Sequence, residues 1–240
     1  MVPHGDPTRN TIEELSQLLS PGDVVIDGGN SHFADDQRHA ELLTRVGVHY
    51  LDCGVSGGVW GAERGYGLMV GGAADVVERC LAIFDALRPP GERADGFVHA
   101  GGVGAGHYAK MVHNGIEYGL MQAYGEGYEL LQASPVVEDV AGCLRAWTQG
   151  TVVRSWLLEL LVEALHQTPN LAGISDYATD SGEGRWALIE GIQQAVPMPV
   201  LAAALHARFA SRQEVSPALQ AVAALRDQFG GHGTGPSPAR

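Results

Sequence analysis

The stretch "GGVGAGHYAKMVHNGIEYG", residues 101–119, divides the chain into two parts with different patterns of apolar residues. Before it, short apolar runs that end in glycine alternate with amphipathic segments. After it, the strand pattern disappears and amphipathic segments follow one another. Strands alternating with helices are typical of an α/β domain, whereas helical periodicity alone is typical of an all-α domain. The sequence therefore predicts an α/β part followed by an all-α part.

Four apolar runs in the first part predict buried strands that lead into tight turns. They are "DVVIDGG" (23–29), "VHYLDCG" (48–54), "GLMVGG" (67–72) and "GFVHAGG" (96–102). Apolar residues at three and four spacing predict helices in "TIEELSQLL" (11–19), "DDQRHAELLTRVG" (35–47) and "ADVVERCLAIFDAL" (74–87). We expect a partial Rossmann-like parallel sheet with right-handed crossovers.

The second part reads as successive amphipathic helices. They are expected at about residues 106–132, 136–148, 153–166, 183–195, 198–211 and 216–228. The last residues, "GGHGTGPSPAR", are rich in Gly, Pro and Ser and predict a flexible tail. The expected organisation is an α/β domain over 1–103, a helical domain over 104–229 and a tail over 230–240.

Composition excludes several classes of protein. The chain has 240 residues, 45% of them hydrophobic and 18% charged, which is typical of a globular protein rather than a disordered one. A formal net charge of -13 argues against nucleic-acid binding, because phosphate backbones are held by clustered Lys and Arg. Cys53, Cys80 and Cys143 fit no metal-ligand spacing, so we expect reduced thiols, no metal site and a cytoplasmic protein. We find no transmembrane stretch and no secretory leader, so we expect no membrane association.

The glycine-rich turn of a dinucleotide-binding domain is missing from its usual place. Such a domain opens with a strand that runs into a GxGxxG turn, which presents helix amides to a pyrophosphate. The glycines of "GGVGAG" (101–106) have the wrong spacing for that motif, and no acidic residue follows at the expected distance. We interpret them as glycines that allow close approach to a ligand and begin a long helix. The chain is therefore expected to enter its α/β domain midway.

Four polar residues share one face of the helix expected after residue 106. Lys110, His113, Asn114 and Glu117 follow one another at i, i+3, i+4 and i+7. Such a stripe on a largely apolar helix needs a polar ligand or an internal network, although a solvated helix face is the ordinary alternative. A desolvated lysine can act as a base and a partly buried glutamate as an acid, while His113 and Asn114 supply hydrogen-bonding groups.

Two loops of the α/β part have compatible chemistry. "IDGGNS" (26–31) ends a strand and presents Asn30 and Ser31 where open α/β sheets bind ligands. "CGVSGGVWGAERG" (53–65) offers Ser56 and the amides of Gly57 and Gly58 as a cradle for a carboxylate. Either loop alone is most simply a turn, but together with the helix they indicate a site.

The motifs "IDGGNS", "VSGG", "KMVHNGIEYG" and "GRW", in this order, resemble 6-phosphogluconate dehydrogenase, the decarboxylating enzyme of the pentose phosphate pathway. The resemblance extends from Met1 to about Arg212 and is closest to the shorter bacterial form. "VSGG" and a Lys followed by Asn also occur in the wider β-hydroxyacid dehydrogenase superfamily. "IDGGNS" together with "KMVHNGIEYG" is much more specific.

This resemblance implies residue roles, a substrate and a cofactor. Lys110 would be the catalytic base and Glu117 the catalytic acid. The sugar acid 6-phosphogluconate would be held by the remaining site residues, namely Asn30, Ser56, Gly57, Gly58, His113, Asn114, Tyr118, Arg185 and Arg208. The cofactor would be NADP or NAD, approached by Asn30, and the helical domain would form a homo-oligomer.

Two departures from the family pattern qualify these expectations. "GRWA" stands where many members have "GKWT", so Arg185 can still bind phosphate but Ala187 has no hydroxyl to donate. The glycine fingerprint is also missing, so we expect a truncated form with weak or no turnover. The alternatives are another β-hydroxyacid dehydrogenase that acts on an unphosphorylated acid, or a non-catalytic binding or dimerisation remnant. Convergence of Arg185 and Arg208 on Tyr118 would favour a phosphorylated substrate.

Overall fold

The first part of the chain forms a four-stranded mixed sheet in the computed structural model, which describes residues 1–231 and 233. The strands are β1 (Val24–Asp27), β2 (His49–Ser56), β3 (Gly67–Gly71) and β4 (Phe97–Gly101), and their order in the sheet follows the sequence. The predicted α/β class and all four predicted strands are confirmed.

One strand pairing differs from the expected all-parallel sheet. β1 pairs with β2 and β3 with β4 in parallel, but β2 and β3 are antiparallel. A parallel connection needs a crossover of roughly a dozen residues or more. The segment 57–66 between β2 and β3 contains only a single 3₁₀ turn, Gly58–Trp60, and a short helix, so it reverses the chain instead.

Five helices accompany the sheet: α1 (Asp6–Leu18), α2 (Phe33–Thr44), α3 (Gly61–Arg64), α4 (Ala74–Arg79) and α5 (Leu81–Leu87). The segment 74–87 was expected to form one helix. It is divided at Cys80, whose φ of -97° and ψ of 0° interrupt the helical conformation.

The two faces of the sheet bury different clusters of side chains. Leu51 and Cys53 of β2 belong to a cluster with Leu68, Val70 and Phe84. Tyr50 points to the other face, because successive side chains of a strand alternate, and belongs to a second cluster. That second cluster contains Ile12, Val25, Leu43, Val48 and Tyr50. Packing on both faces explains why residues 50–54 of β2 are all buried.

The second part is helical, as predicted. It contains α6 (Ala105–Ala133), α7 (Val140–Trp147), α8 (Trp156–Gln167), α9 (Glu183–Gln193), α10 (Pro199–Ala210) and α11 (Pro217–Gly230). α7 begins four residues later than expected because the Asp139 carboxylate accepts a hydrogen bond from the Gly142 amide and caps the helix there. Ser155 and Ser216 cap α8 and α11 in the same way.

The chain divides into two compact units whose boundaries cut across this change of secondary structure. The first comprises Met1–Tyr118 and Gly182–Met198, so it contains the start of α6 and all of α9. The second comprises Gly119–Ser181 and Pro199–Arg240, and its buried cluster is formed by Leu144, Leu158 and Leu165. The sequence-based division at residues 103 and 104 stays a prediction. The predicted tail, 230–240, lies largely outside the described residues.

Within the part of the chain that the structure describes, we find no helix that combines the length and the apolarity required to cross a membrane.

Candidate active site

A buried carboxylate on β2 fixes the beginning of α6. Asp52 is fully buried, and its two oxygens accept hydrogen bonds from the amides of Gly104, at 2.7 Å, and His107, at 2.9 Å. These amides belong to the first turn of the helix, where they have no partner within the helix itself, and a negative charge there is also favoured by the helix dipole. Asp52 therefore positions the residues that follow on α6.

Two glycines allow α6 to lie directly against the sheet. A Cβ at Gly54 would lie 2.4 Å from the Lys110 Cβ and 2.8 Å from the Gly106 carbonyl oxygen. A Cβ at Gly106 would lie 2.3 Å from the Met69 carbonyl oxygen. All three distances are shorter than van der Waals contact, so larger residues would displace the helix that carries the candidate site.

A second buried polar cluster ties α2 to α6. The Asp36 carboxylate contacts the Nδ1 atom of His107 at 2.9 Å and accepts a hydrogen bond of 2.7 Å from the Tyr50 hydroxyl. Asp36 and His107 have side-chain exposures of 0% and 1%. Burial alone would lower the pKa of His107, but the hydrogen bond to Asp36 and the charges of Asp36, Asp27 and Asp52 raise it above its ordinary value. His107 therefore offsets buried negative charge.

Two groups within this buried region have ligand atoms close enough to hold a metal ion, although no metal site was expected. They are Asp27 with Asp36 and His39, and Asp36 with Asp52 and His107. Most of their oxygens already accept hydrogen bonds. In addition to the bonds described above, Asp27 accepts from the Gly29 amide at 2.8 Å and the Ser31 hydroxyl at 2.7 Å. These contacts support a hydrogen-bonded network that shapes the "IDGGNS" loop.

Lys110 is the only lysine among the 240 residues, and it lies on α6 where the helix meets Gly54. Its Nζ atom donates a hydrogen bond of 2.7 Å to Asn114 Oδ1. Burial lowers the pKa of the Lys110 amine below its ordinary value, although the negative charges of Glu117 and Glu183 oppose the decrease. The local environment therefore favours release of a proton by this amine.

His113 and Asn114 connect α6 to the end of β2. Asn114 Oδ1 also lies 3.1 Å from His113 Nδ1, and His113 Nε2 lies 3.2 Å from the Ser56 hydroxyl. An amide oxygen only accepts hydrogen bonds, so this geometry requires the proton on Nδ1 and lets neutral Nε2 accept from Ser56. Glu117 is 3.9 Å from His113 Nδ1, and its side chain is 35% exposed. The structure thus brings together four predicted residues of α6 and Ser56 of β2.

Tyr118 and Arg185 lie in the same compact unit as Lys110, at the junction of α6 and α9. Tyr118 is buried, and a Cβ at Gly184 would lie 2.6 Å from its ring. The first turn of α9 therefore packs on α6 through a glycine, next to exposed Arg185. Trp186 follows and makes edge contacts with the rings of His4 and His32, at centroid distances of 5.3 and 4.7 Å.

The loop residues of the prediction occupy the carboxyl ends of β1 and β2. These strands are parallel with Asp27 opposite Asp52, so half-buried Asn30 and Ser56 follow at the same edge of the sheet. Ser31 is buried and its hydroxyl is bonded to Asp27, which gives it a structural contact. Gly57 and Gly58 have φ of 153° and 54°, which residues with side chains rarely adopt, so the turn that presents their amides requires glycine.

Arg208 belongs to the second compact unit. It lies on α10 and donates a hydrogen bond of 2.8 Å to the Thr179 carbonyl oxygen. A role in binding the substrate's phosphate stays a prediction for this residue.

A residue missed by the sequence reasoning is Glu183, the first residue of α9. It is 2% exposed, and its charge acts on Lys110. A glutamate directly before the "GRW" motif is a signal that could have drawn attention to it. Its proximity to Lys110 could not be read from the sequence, because more than seventy residues separate the two in the chain.

A cavity of about 560 Å³ lies beside this region, between the first turns of α2 and α6. Its lining is largely apolar and includes Phe33, Val103 and Tyr108, but none of the predicted site residues. It does not have the polar groups that a phosphorylated sugar acid requires.

The arrangement around Lys110 provides the groups for acid–base chemistry on a hydroxy acid. The Lys110 amine, with its lowered pKa, can take a proton from a hydroxyl group. Glu117, two turns further along the same face of α6, can supply a proton. Ser56, His113 and Asn114 present hydrogen-bonding groups beside the amine, at the sheet edge where α/β proteins bind ligands.

Comparisons with known proteins agree across the chain. Residues 1–89 match the model for the NAD binding domain of 6-phosphogluconate dehydrogenase, and residues 106–220 match the model for its C-terminal domain. The NAD(+)-dependent, decarboxylating 6-phosphogluconate dehydrogenase of Haloferax volcanii is 43% identical over 97% of this chain and 76% of its own length. The putative 6-phosphogluconate dehydrogenase YqeC of Bacillus subtilis is 40% identical over 98% of this chain and 77% of its own length.

Longer relatives and solved structures extend the comparison. The chain spans 47% of the Bacillus licheniformis enzyme, to which it is 36% identical. It superposes on Plasmodium falciparum 6-phosphogluconate dehydrogenase with a TM-score of 0.76 at 28% identity, covering 98% of this chain and 51% of that one. Mycobacterium tuberculosis 3-hydroxyisobutyrate dehydrogenase shares the fold alone, with a TM-score of 0.65 at 21% identity over 88% of this chain and 73% of that one. The chain belongs to the 6-phosphogluconate dehydrogenase family of oxidoreductases.

Proposed function

We propose that this chain binds 6-phosphogluconate and supplies the acid–base groups for its oxidative decarboxylation to ribulose 5-phosphate and CO2. The observation that carries the proposal is the environment of Lys110: half-buried, hydrogen-bonded to Asn114, and with a lowered pKa. Family membership supplies the substrate, and the site supplies groups suited to it.

The identity of the cations strengthens this proposal. Fourteen of the fifteen basic residues are arginines, which remain protonated in proteins and cannot act as bases. The single lysine lies at the one position for which the proposed reaction needs an amine that can lose its proton. A requirement for positive charge alone would be met equally well by arginine.

In the proposed first step, neutral Lys110 takes the proton of the 3-hydroxyl group while hydride leaves C3. The 3-keto acid then loses CO2 as the C1–C2 bond breaks, and its electrons pass toward C3. The Lys110 ammonium returns its proton to the oxygen on C3, which gives an enediol. Glu117 protonates the carbon that carried the carboxylate, which becomes C1 of the product. The proton of the hydroxyl group on C3 returns to Lys110 as the ketone of the product forms.

The remaining site residues hold the substrate in this proposal. Ser56, Gly57 and Gly58 lie where a carboxylate can accept hydrogen bonds, and His113 and Asn114 face the hydroxyl groups. Tyr118 and Arg185 bind the 6-phosphate, for which an arginine can provide two parallel N–H donors. For Arg208, this role rests on the family resemblance alone.

A nicotinamide dinucleotide, NAD or NADP, would accept the hydride. The Asn30 loop supports a place for its nicotinamide end, because it follows β1 at the sheet edge where α/β proteins bind ligands. The 240 residues contain no strand followed by a GxGxxG turn and a helix, the unit that binds the pyrophosphate. We therefore infer that the chain, assayed by itself, binds substrate but transfers hydride slowly.

Calorimetric titration of the purified chain with 6-phosphogluconate and with gluconate tests substrate class. We expect 6-phosphogluconate to bind at least tenfold more tightly, and Arg185→Ala to remove most of that difference. Lys110→Arg is the matched variant for chemistry, since it keeps the charge: binding should persist while reduction of NAD or NADP is lost.

Other outcomes select the alternatives. Equal affinity for both acids would favour a dehydrogenase of unphosphorylated hydroxy acids. Absence of binding by a folded chain would favour a non-catalytic binding or dimerisation role. Rapid reduction of NAD or NADP by the 240-residue chain would contradict the inference of slow hydride transfer.

A further inference from the structure

We propose that Glu183 is a positioning residue for the proposed base, supplying from the first turn of α9 a second carboxylate that accompanies Glu117 as a counter-charge for the Lys110 ammonium. This inference rests on the proposed function only in calling Lys110 the base. The electrostatic relationship between the two side chains can be tested independently of any reaction.

The first turn of α9 packs closely on α6 through a glycine. Gly184 meets the Tyr118 ring so closely that a Cβ would lie 2.6 Å from it. This contact places the first turn of α9, where Glu183 lies, against α6 at Tyr118, the residue after Glu117, and the charge of Glu183 acts on Lys110. Glu183 therefore lies on α9, whereas Glu117, the acid predicted from the sequence, lies on α6.

Glu183 is almost completely buried. Its exposure of 2% is much lower than the 35% of the Glu117 side chain. A carboxylate that is removed from water is costly unless nearby donors or cations offset the loss of hydration. The positive end of α9 provides one such contribution, since Glu183 lies in its first turn. Lys110 provides a formal positive charge.

The charges around Lys110 are few. α6 itself contributes Glu117 and the imidazole of His113, and α9 contributes Glu183. β2 contacts the Lys110 Cβ through Gly54 and carries Asp52, whose carboxylate is bonded to the amides at the start of α6. The negative charges of Glu117 and Glu183 both oppose the effect of burial on the amine.

The two carboxylates have distinct consequences for the proposed reaction. Glu117 must give up a proton to the product, so its charge changes during turnover. Glu183 takes no part in proton transfer in our scheme. A carboxylate near Lys110 stabilises the ammonium that forms when the amine takes the proton of the 3-hydroxyl group, and this ammonium then donates its proton to the oxygen on C3.

The single lysine makes the test direct. Protein labelled with [¹³Cε]lysine gives one side-chain lysine signal, and its pH titration reports Lys110 alone. We expect Glu183→Gln to lower the midpoint by about one pH unit, because an opposite charge nearby stabilises the ammonium form. Glu190→Gln, the same change on the same helix, is the matched control and should leave the midpoint unchanged, since Glu190 is not among the charges that act on Lys110.

The outcomes separate this inference from the proposed function. An unchanged midpoint in folded Glu183→Gln, with a lowered one in Glu117→Gln, would overturn the role of Glu183. If Glu183→Gln does not fold, Glu183→Asp can replace it, because Asp keeps the charge but holds it one methylene further from Lys110. A lowered Lys110 midpoint in this variant supports the role of Glu183, and an unchanged midpoint overturns it. A lowered midpoint in a chain that does not bind 6-phosphogluconate would support the role of Glu183 and refute the proposed function.

Discussion

At the scale of single residues, the candidate site centres on the Lys110 amine. This amine is partly removed from water, so its charged form is disfavoured. The sequence predicted the stripe formed by Lys110, His113, Asn114 and Glu117, because helical periodicity relates those positions directly. It could not predict that Asn114 Oδ1 is shared by Lys110 and His113, or that Glu183 acts on the same amine. Those contacts depend on rotamers and on packing between distant segments.

The lowered pKa of Lys110 predicts how the stability of the chain depends on pH. Between the lowered pKa and the ordinary lysine pKa, the unfolded chain binds more protons than the folded one, so wild-type stability rises with pH. Lys110→Met has no amine to titrate, so the wild-type chain should gain stability relative to this variant across that interval, as calorimetric melting at several pH values would reveal. A stability difference between the two chains that does not change with pH would contradict this.

At the scale of secondary-structure elements, local patterns predicted most of the fold but not how its elements meet. All four strands and all six helices of the second part were predicted from periodicity. The reversal between β2 and β3 was not, because it follows from the length and turn structure of the segment 57–66 rather than from apolar spacing. The Asp52 and Asp36 contacts to α6 are also long-range, so no motif could indicate them.

The close approach of α6 to β2 predicts that Gly54→Ala is destabilising. The added Cβ would overlap Lys110 Cβ and the Gly106 carbonyl, so the free energy of unfolding should fall by about 1–3 kcal/mol. Gly67→Ala in β3 is the matched control, since its nearest contact would be the Ser56 carbonyl oxygen at 3.9 Å. Urea unfolding of both variants measures the difference. Equal stability of the two variants would show that α6 does not lie against β2 as described.

The buried contact between Asp36 and His107 predicts a large loss of stability in Asp36→Asn. Breaking a buried charge pair costs about 3–5 kcal/mol, whereas the neighbouring Asp35→Asn removes only a surface pair with Arg38 and should cost at most about 1 kcal/mol.

The raised pKa of His107 gives the sign of the pH dependence. Its stabilising contribution is fully present below the ordinary histidine pKa and is lost as pH rises through the raised value. The free energies of unfolding of the two variants, measured by urea titration, should therefore differ most at acidic pH. A difference that does not depend on pH would exclude a charge on His107.

At the scale of the whole molecule, the described chain leaves much apolar surface uncovered. Val112, Ile116 and Leu120 of α6 are 39%, 61% and 42% exposed. No residue of α11 is buried, and an exposed stripe at helical spacing runs through Leu219, Val222, Leu225 and Phe229. Exposed apolar faces of this kind are typical of subunit interfaces. The expected homo-oligomer stays a prediction.

The stripe on α11 predicts self-association. Sedimentation of the purified chain should show a mass that increases with concentration, and the double variant Leu225→Asp, Phe229→Asp should shift the equilibrium toward the monomer. Asp substitutions at exposed Gln220 and Gln228 of the same helix control for the added charge. A concentration-independent monomeric mass for the wild-type chain would contradict an interface on this helix.

The most direct test of the central claim is the pH titration of the single [¹³Cε]lysine signal in the presence and absence of 6-phosphogluconate. We expect a midpoint below the ordinary lysine pKa in the free chain. We also expect 6-phosphogluconate to change the signal, and gluconate to reproduce that change only at much higher concentration. A midpoint at the ordinary lysine value, with a signal that neither acid alters, would contradict both the assignment of Lys110 as the base and its place in a sugar-acid site.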